Sequence, residues 1–145
     1  MTKLIHPISG TIALLTIATF WLSTITVEIF GTHAQIALVK TSIPWGFFVL
    51  IPAIAITGAT GFASAGKRRG GVLAQKVRRM PIIAANGILV LIPSALYLAA
   101  KAKSGEFDGL FYTVQLIELT AGAANLSLLG LSMRDGLRLK GRLRR

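Results

Sequence analysis

Cysteine is missing from all 145 residues, and acidic side chains are scarce, five Asp and Glu against sixteen Lys and Arg. The first absence excludes disulfides, thiolate metal sites and thiol catalysis. The second makes each carboxylate inside an apolar stretch a candidate for chemistry. Histidine is nearly missing as well. His6 and His33 are the only two, and a helix joining them would hold them about 40 Å apart, too far to share a metal within one protomer. No Ser-His-Asp order, zinc-ligand spacing or dinucleotide fingerprint occurs. Residues 61–67 read Gly-x-x-x-x-Gly-Lys, but Arg68 stands where a phosphate loop needs Ser or Thr for magnesium. That segment also closes an apolar run instead of joining a strand to a helix.

What the chain has in abundance is apolar length. Hydrophobic residues make up 53% of it, mean hydropathy is +0.68, and four long runs cover about residues 8–30, 43–65, 82–100 and 110–132. A helix rising about 1.5 Å per residue needs roughly 20 residues to cross a hydrocarbon core. A soluble bundle would carry a polar stripe on every helix, yet residues 89–100 offer only Ser94 and Tyr97. The first run is too long for a signal peptide and is expected to be retained. These features predict an all-α fold: one integral membrane domain over residues 1–145, a bundle of four transmembrane helices with a basic tail at 133–145. Gly31 is the expected terminator of span one, residues 31–42 an outer polar loop, and residues 71–79 a short interfacial stretch. Pro81 then opens span three. The tight connection 101–109 predicts that spans three and four are antiparallel neighbours.

The net charge of +11 is sorted by position. Lys3, six basic residues between spans two and three, and six after span four fall on one side of a four-pass chain. Only Lys40, Lys101 and Lys103 fall on the other. The positive-inside rule then places both termini in the cytoplasm of a bacterial inner membrane. The basic clusters are read as topology signals in contact with anionic lipid head groups, and no nucleic-acid partner is expected. Ala55, Ala59 and Ala63, with Gly58 and Gly61 nearby, form a small-residue face on span two. Packing inside the bundle is its favoured use, and a homo-oligomer or membrane-complex contact the alternative. Pro52 and Pro93 predict kinks at similar depth.

Polar groups inside the runs mark the candidate site. Gln115, Glu118, Gly122, Asn125, Leu129 and Ser132 recur at spacings of three and four, so they share a helix face. Glu118, Gln115 and Asn125 are therefore predicted to bind a proton, a cation or a polar ligand, or else to form a hydrogen-bonded seam. Span one offers a matching stripe of Ser9, Thr16, Thr19, Ser23 and Thr26, and Asn86 is placed to join it. At the outer end, Glu28 and His33, near Glu106 and Asp108, are candidate metal ligands. At the inner end, His6, Met80 and Met133 could supply axial ligands to a haem whose propionates Arg79 and Arg134 would hold.

The run His6-Pro7-Ile8-Ser9-Gly10 resembles the His-x-x-Ser-Gly start of the first helix in membrane-anchor cytochrome b subunits of succinate dehydrogenases, and is similar to segments of cytochrome b561-type proteins. It covers five residues, and Pro7 stands where the anchor family usually has arginine. The resemblance implies haem b as cofactor and a quinone near Ser9. Those families supply further histidines within their helices, and this chain has none. Haem binding here would need His/Met ligation or a homodimer interface. Taken whole, the chain is similar to short four-helix membrane proteins of proteobacteria, which imply no activity. Three functions stay open: a small b-type cytochrome or quinone-interacting protein, a transporter or ligand-binding bundle built on Glu118, and a non-catalytic accessory subunit of a membrane complex.

Overall fold

The computed structural model describes residues 2–65 and 71–139, with side chains described for residues 4–63 and 78–138. The chain runs as α1 (Thr2–Phe30), α2 (His33–Ala65), α3 (Gly71–Asn86), a π turn (Gly87–Leu91), α4 (Ile92–Lys103) and α5 (Gly109–Leu139). The π turn joins α3 and α4 into one rod, giving four helices long and apolar enough to cross a membrane. Each rod packs on the next: α1 on α2, α2 on α4, α4 on α5 and α5 back on α1, with α3 against α5 and α2. The start of α1, the close of α2, the start of α3 and the close of α5 share one end of this bundle, the terminal end. The α1–α2 and α4–α5 connections share the other, the far end. The basic residues 66–70 and 140–145 lie outside the described residues.

Helix length is where the sequence expectation needs correction. The predicted outer loop 31–42 shrinks to Gly31 and Thr32, because α2 starts at His33. Thr32 caps it: its N–H donates to Gln35 Oε1 at 2.8 Å, and Gln35 N–H returns to Thr32 Oγ1 at 3.4 Å. This is the reciprocal Thr-x-x-Gln capping box. α1 ends at Phe30, and Gly31 N–H donates to Val27 O at 2.9 Å, as expected of a terminator. Residues 71–79 belong to α3, so Pro81 lies inside a helix instead of opening one. Pro93 is met by the π turn: Ile92 N–H reaches back to Gly87 O, and the wider turn accommodates a ring that cannot donate.

The α4–α5 connection is pinned by side chains at the helix ends. Gly105, at φ +72°, takes the left-handed position, with Gly105 N–H on Ala102 O and Glu106 N–H on Lys101 O. Those two bonds make a Schellman closure. Asp108 caps α5 by accepting from Phe111 N–H at 2.8 Å, and Lys101 pairs with both Glu106 and Asp108.

Two buried apolar clusters hold the rods together. One is Ala13, Ile17, Leu50 and Ala53 with Phe20, Phe47, Leu126 and Leu129 around it. The other, nearer the far end, is Ile36, Leu98, Ala102 and Phe111, flanked by Val27, Tyr97, Phe107 and Val114. The Ala55, Ala59 and Ala63 face is exposed, so it does not serve the packing within the bundle that the sequence favoured. The close approach comes instead at Gly46, where an added Cβ would stand 2.2 Å from Phe20 Cζ.

Gly46→Ala should therefore lower thermal stability in detergent, by about 1–3 kcal/mol if it behaves as other overpacked cores do. Gly58→Ala, with nothing within 4 Å, should leave it unchanged or raise it. The Asp108 carboxyl is held below its ordinary value by the Phe111 N–H and by Lys101. Its contribution is thus present above the unfolded aspartate value of about 3.9 and is lost as pH falls through the lower folded value. The protection of the Phe111 amide, measured as its exchange relative to the intrinsic rate at each pH, should fall on that acidification, and Asp108→Ala should remove the acid step.

Candidate functional site

Lys40 is fully buried. The capping box that moves the start of α2 back to His33 carries Lys40 seven residues into the helix, about 10 Å from its end at helical rise. There its Nζ donates to Glu118 Oε2 of α5 at 2.5 Å and to Thr24 Oγ1 of α1 at 3.4 Å. Gln115 Nε2 donates to the same Glu118 oxygen at 3.2 Å. Glu28 follows Thr24 by one turn on the same face of α1, and with Trp21 seated against Gly122 of the antiparallel α5 that face brings Glu28 level with Gln115. Three helices thus contribute one lysine, two carboxylates, an amide and a hydroxyl to a single polar node.

Packing explains why these side chains meet. Trp21 lies against Gly122, where a Cβ would come within 2.9 Å of its Cδ1, and its indole N–H donates to Leu119 O at 2.9 Å. That contact presses α1 onto α5 and turns Thr24 and Glu28, one and two turns farther along, toward α2 and α5. Each of the three helices then places its polar residue between the two apolar clusters. Along α2 the order is Ile36, Lys40, Phe47; along α5 it is Val114, Glu118, Leu126; along α1 it is Val27, Thr24, Phe20. The ion pair is sandwiched between dry layers, where removing either partner leaves an uncompensated charge.

The sequence-predicted polar stripe of α5 divides into two nodes. Gln115 and Glu118 belong to the lysine site. Asn125, only 1% exposed, lies two turns toward the terminal end and binds α3. Asn86 Nδ2 donates to Asn125 Oδ1 and to Ala121 O, each at 2.9 Å, and Asn125 Nδ2 donates to Ile83 O at 3.4 Å. This clamp lies beside the π turn and fixes the register of α3 on α5. The predicted stripe on α1 is corrected more strongly. Thr16, Thr19 and Thr26 donate to carbonyls of their own helix at 2.8 Å, and Ser23 to Phe20 O at 3.0 Å. The hydroxyl that reaches the site is Thr24, which the sequence reading passed over.

At the far end, His33 stacks on Phe107, with centroids 4.4 Å apart and planes within 9°. Lys101 engages Glu106 and Asp108. Glu28 and His33 remain within electrostatic reach of one another, but no group of three His, Asp or Glu side chains converges on a metal position among the described residues.

At the terminal end, His6 and Met80 do come together: His6 Cε1 and Met80 Cε lie 3.2 and 3.1 Å from where a Cβ on Gly61 would stand. His6 Nδ1 is 3.1 Å from both Thr57 O and Thr60 Oγ1. Ser9 accepts from Thr57 Oγ1 at 2.9 Å and donates to Ile5 O. Arg79 is paired with Asp135 at 2.6 Å, while Met133 and Arg134 are exposed. An axial pair needs its two ligands on opposite faces of a haem plate. Here both side chains lean on one glycine of α2, an arrangement that does not fit a haem between His6 and Met80 within one protomer.

Comparison with protein families, with curated proteins and with solved structures finds no match, so the functional reading rests on the geometry.

A double-mutant cycle checks the site's energetics. Lys40→Met alone should destabilise the protein by about 3–5 kcal/mol, the usual cost of stranding one partner of a buried ion pair. The Lys40→Met, Glu118→Leu double variant should recover most of that loss in detergent unfolding curves.

Proposed function

We propose that this chain is a multi-pass protein of a bacterial inner membrane that moves or binds a positive charge, a proton or a cationic ligand, at the Lys40–Glu118 node. The observation that carries the reading is an ion pair enclosed between apolar layers of a bundle of membrane-crossing length, with a second carboxylate, Glu28, on its far-end side. Ionisable side chains at such positions face the bundle interior, pair with one another and mark ion pathways or proton relays. A purely structural hydrogen-bonded seam needs no net charge, and Asn86 with Asn125 already provides one.

The orientation, with both termini cytoplasmic, follows from the Lys/Arg bias. Exposed Arg78, Arg134 and Arg138 then meet anionic head groups on that face. Self-association, or service as a subunit of a membrane complex, belongs to the same reading, since Ala55, Ala59 and Ala63 face outward. The b-type cytochrome reading keeps its sequence support alone: both His6 and Met80 lean on Gly61, which leaves it exposed Met133 or a homodimer interface for ligation.

In proteoliposomes carrying a trapped pH dye, the wild-type protein should speed dissipation of an imposed pH gradient, and Glu118→Gln should abolish that acceleration. Flux unchanged in Glu118→Gln would remove this residue from the mechanism. A wild-type protein without flux, co-purifying with a stable membrane partner, would favour the accessory-subunit reading instead.

A further inference from the structure

We propose that Glu28 and Gln115 form a seat for one exchangeable monovalent positive charge, a proton or a sodium-sized cation, with the Lys40–Glu118 pair as its fixed counter-charge. This deepens the function proposed above and rests on it for its role in the membrane. It has three supports: orphan acceptors, the charge count and the position in the fold.

The Gln115 side chain is 3% exposed. Its Nε2 is spent on Glu118, while its Oε1 is buried with no hydrogen-bond partner. Turning the amide over would aim that oxygen at a carboxylate, so the assigned orientation is the one electrostatics favours. Glu28 Oε1 is likewise buried without a partner. Both are acceptors, and two acceptors cannot satisfy one another. Each lacks a proton donor or a cation, and leaving such groups unpaired is costly in a dry setting.

Lys40 balances one carboxylate, and its short bond goes to Glu118. Glu28 is then the odd charge. The groups facing it are Lys40 and His33 on α2 and Glu118 on α5. On α4, Lys101 is taken up by Glu106 and Asp108, and Tyr97 contributes a buried hydroxyl, itself without a partner, in the neighbouring cluster. With histidine counted as neutral, one lysine against two carboxylates leaves a single formal negative charge, which one monovalent cation neutralises and a divalent cation would overshoot.

Glu28 stands two residues from the end of α1, whereas Thr24 and Lys40 lie deeper. A charge can therefore reach it from the far end without crossing the middle of the bundle. Glu118 is common to both halves of the seat: Gln115 bonds it and Glu28 senses it. Occupancy at Glu28 thus changes the field on the ion pair, which is the coupling a transport or binding cycle needs.

Infrared difference spectra of the full-length protein in lipid nanodiscs test this. One arm changes pH in choline chloride; the other exchanges choline for sodium at constant pH. The wild-type protein should give a carboxyl difference signal in the pH arm if the occupant is a proton, and in the sodium arm as well if sodium competes. Most of that signal should be lost in Glu28→Gln. Gln115→Leu keeps every ionisable group and provides the second variant should Glu28→Gln fail to fold. It should shift the midpoint about tenfold in proton or sodium concentration, the size of one hydrogen bond to a charged group. A signal retained in Glu28→Gln, an unshifted midpoint in Gln115→Leu, or silence in both arms would overturn the seat. Silence at Glu28 with Glu118-dependent flux intact would leave the proposed function standing. A Glu28 signal without any flux would do the reverse.

Discussion

An ammonium group held among apolar helices is stable only beside a carboxylate, and Lys40 has Glu118 at 2.5 Å. Taking both ions out of water costs several kcal/mol each, and their attraction offsets this only when the geometry is close and the remaining donors are used. Thr24 and Gln115 supply that completion, one on the lysine and one on the carboxylate. The pair therefore ties three helices at once. If α1 slid by one residue on α5, Thr24 would rotate by about 100° away from the ammonium, since a helix makes a turn every 3.6 residues.

The other long-range polar contacts read as supports for this register. Trp21 locks α1 to α5 just below the site, through Gly122 and the Leu119 carbonyl. Ser9, His6 and Thr57 tie α1 to α2 near the terminal end, and Asn86 with Asn125 ties α3 to α5. Lipid supplies no hydrophobic drive for helices to associate, so close packing and interhelical hydrogen bonds must do so. Among the described residues each of these pairs has such a tie, and α3 and α5 have a second in Arg79–Asp135. The charged node also carries two acceptors with no donor, Glu28 Oε1 and Gln115 Oε1.

Much of the architecture was legible, because helices long and apolar enough to cross a membrane show in the sequence as run length. Four rods, the Gly31 stop and the tight α4–α5 connection all follow from composition and turn chemistry. Glu118 and Gln115 were legible for the same reason: a carboxylate inside an apolar run stands out. Lys40 was not, because it precedes the second apolar run and a hydropathy boundary assigns it to a loop. The signal that corrects this is local and was available: Thr32 and Gln35 at capping-box spacing begin the helix at His33. Thr24 was hidden for a different reason. Polar spacing on α1 picks out hydroxyls that satisfy themselves on their own backbone, and only the position of Trp21 reveals which face meets α5. The Asn125 clamp separated from Glu118 because a shared helix face extends along the axis and can meet a different neighbour at each level.

The same charge sorting that suggests orientation also gives the site a direction. Arg78, Arg79, Arg134 and Arg138 stand at the terminal end, relieved among the described side chains there only by Asp135. At the far end Lys101 is matched by Glu106 and Asp108. A cation approaching from the terminal end would meet a repulsive field and then the apolar layer around Ala13, Ile17, Leu50 and Ala53. From the far end it meets a nearly balanced surface, the His33–Phe107 stack and Glu28. Burial between two layers makes the node tight, and the unequal ends make it one-sided. If the node takes up a cation as proposed, entry from the far end would be half of an alternating-access cycle. The other half would require the lower layer around Ala13, Ile17, Leu50 and Ala53 to part, and the π turn before Pro93 is where the described rods depart from α-helical geometry.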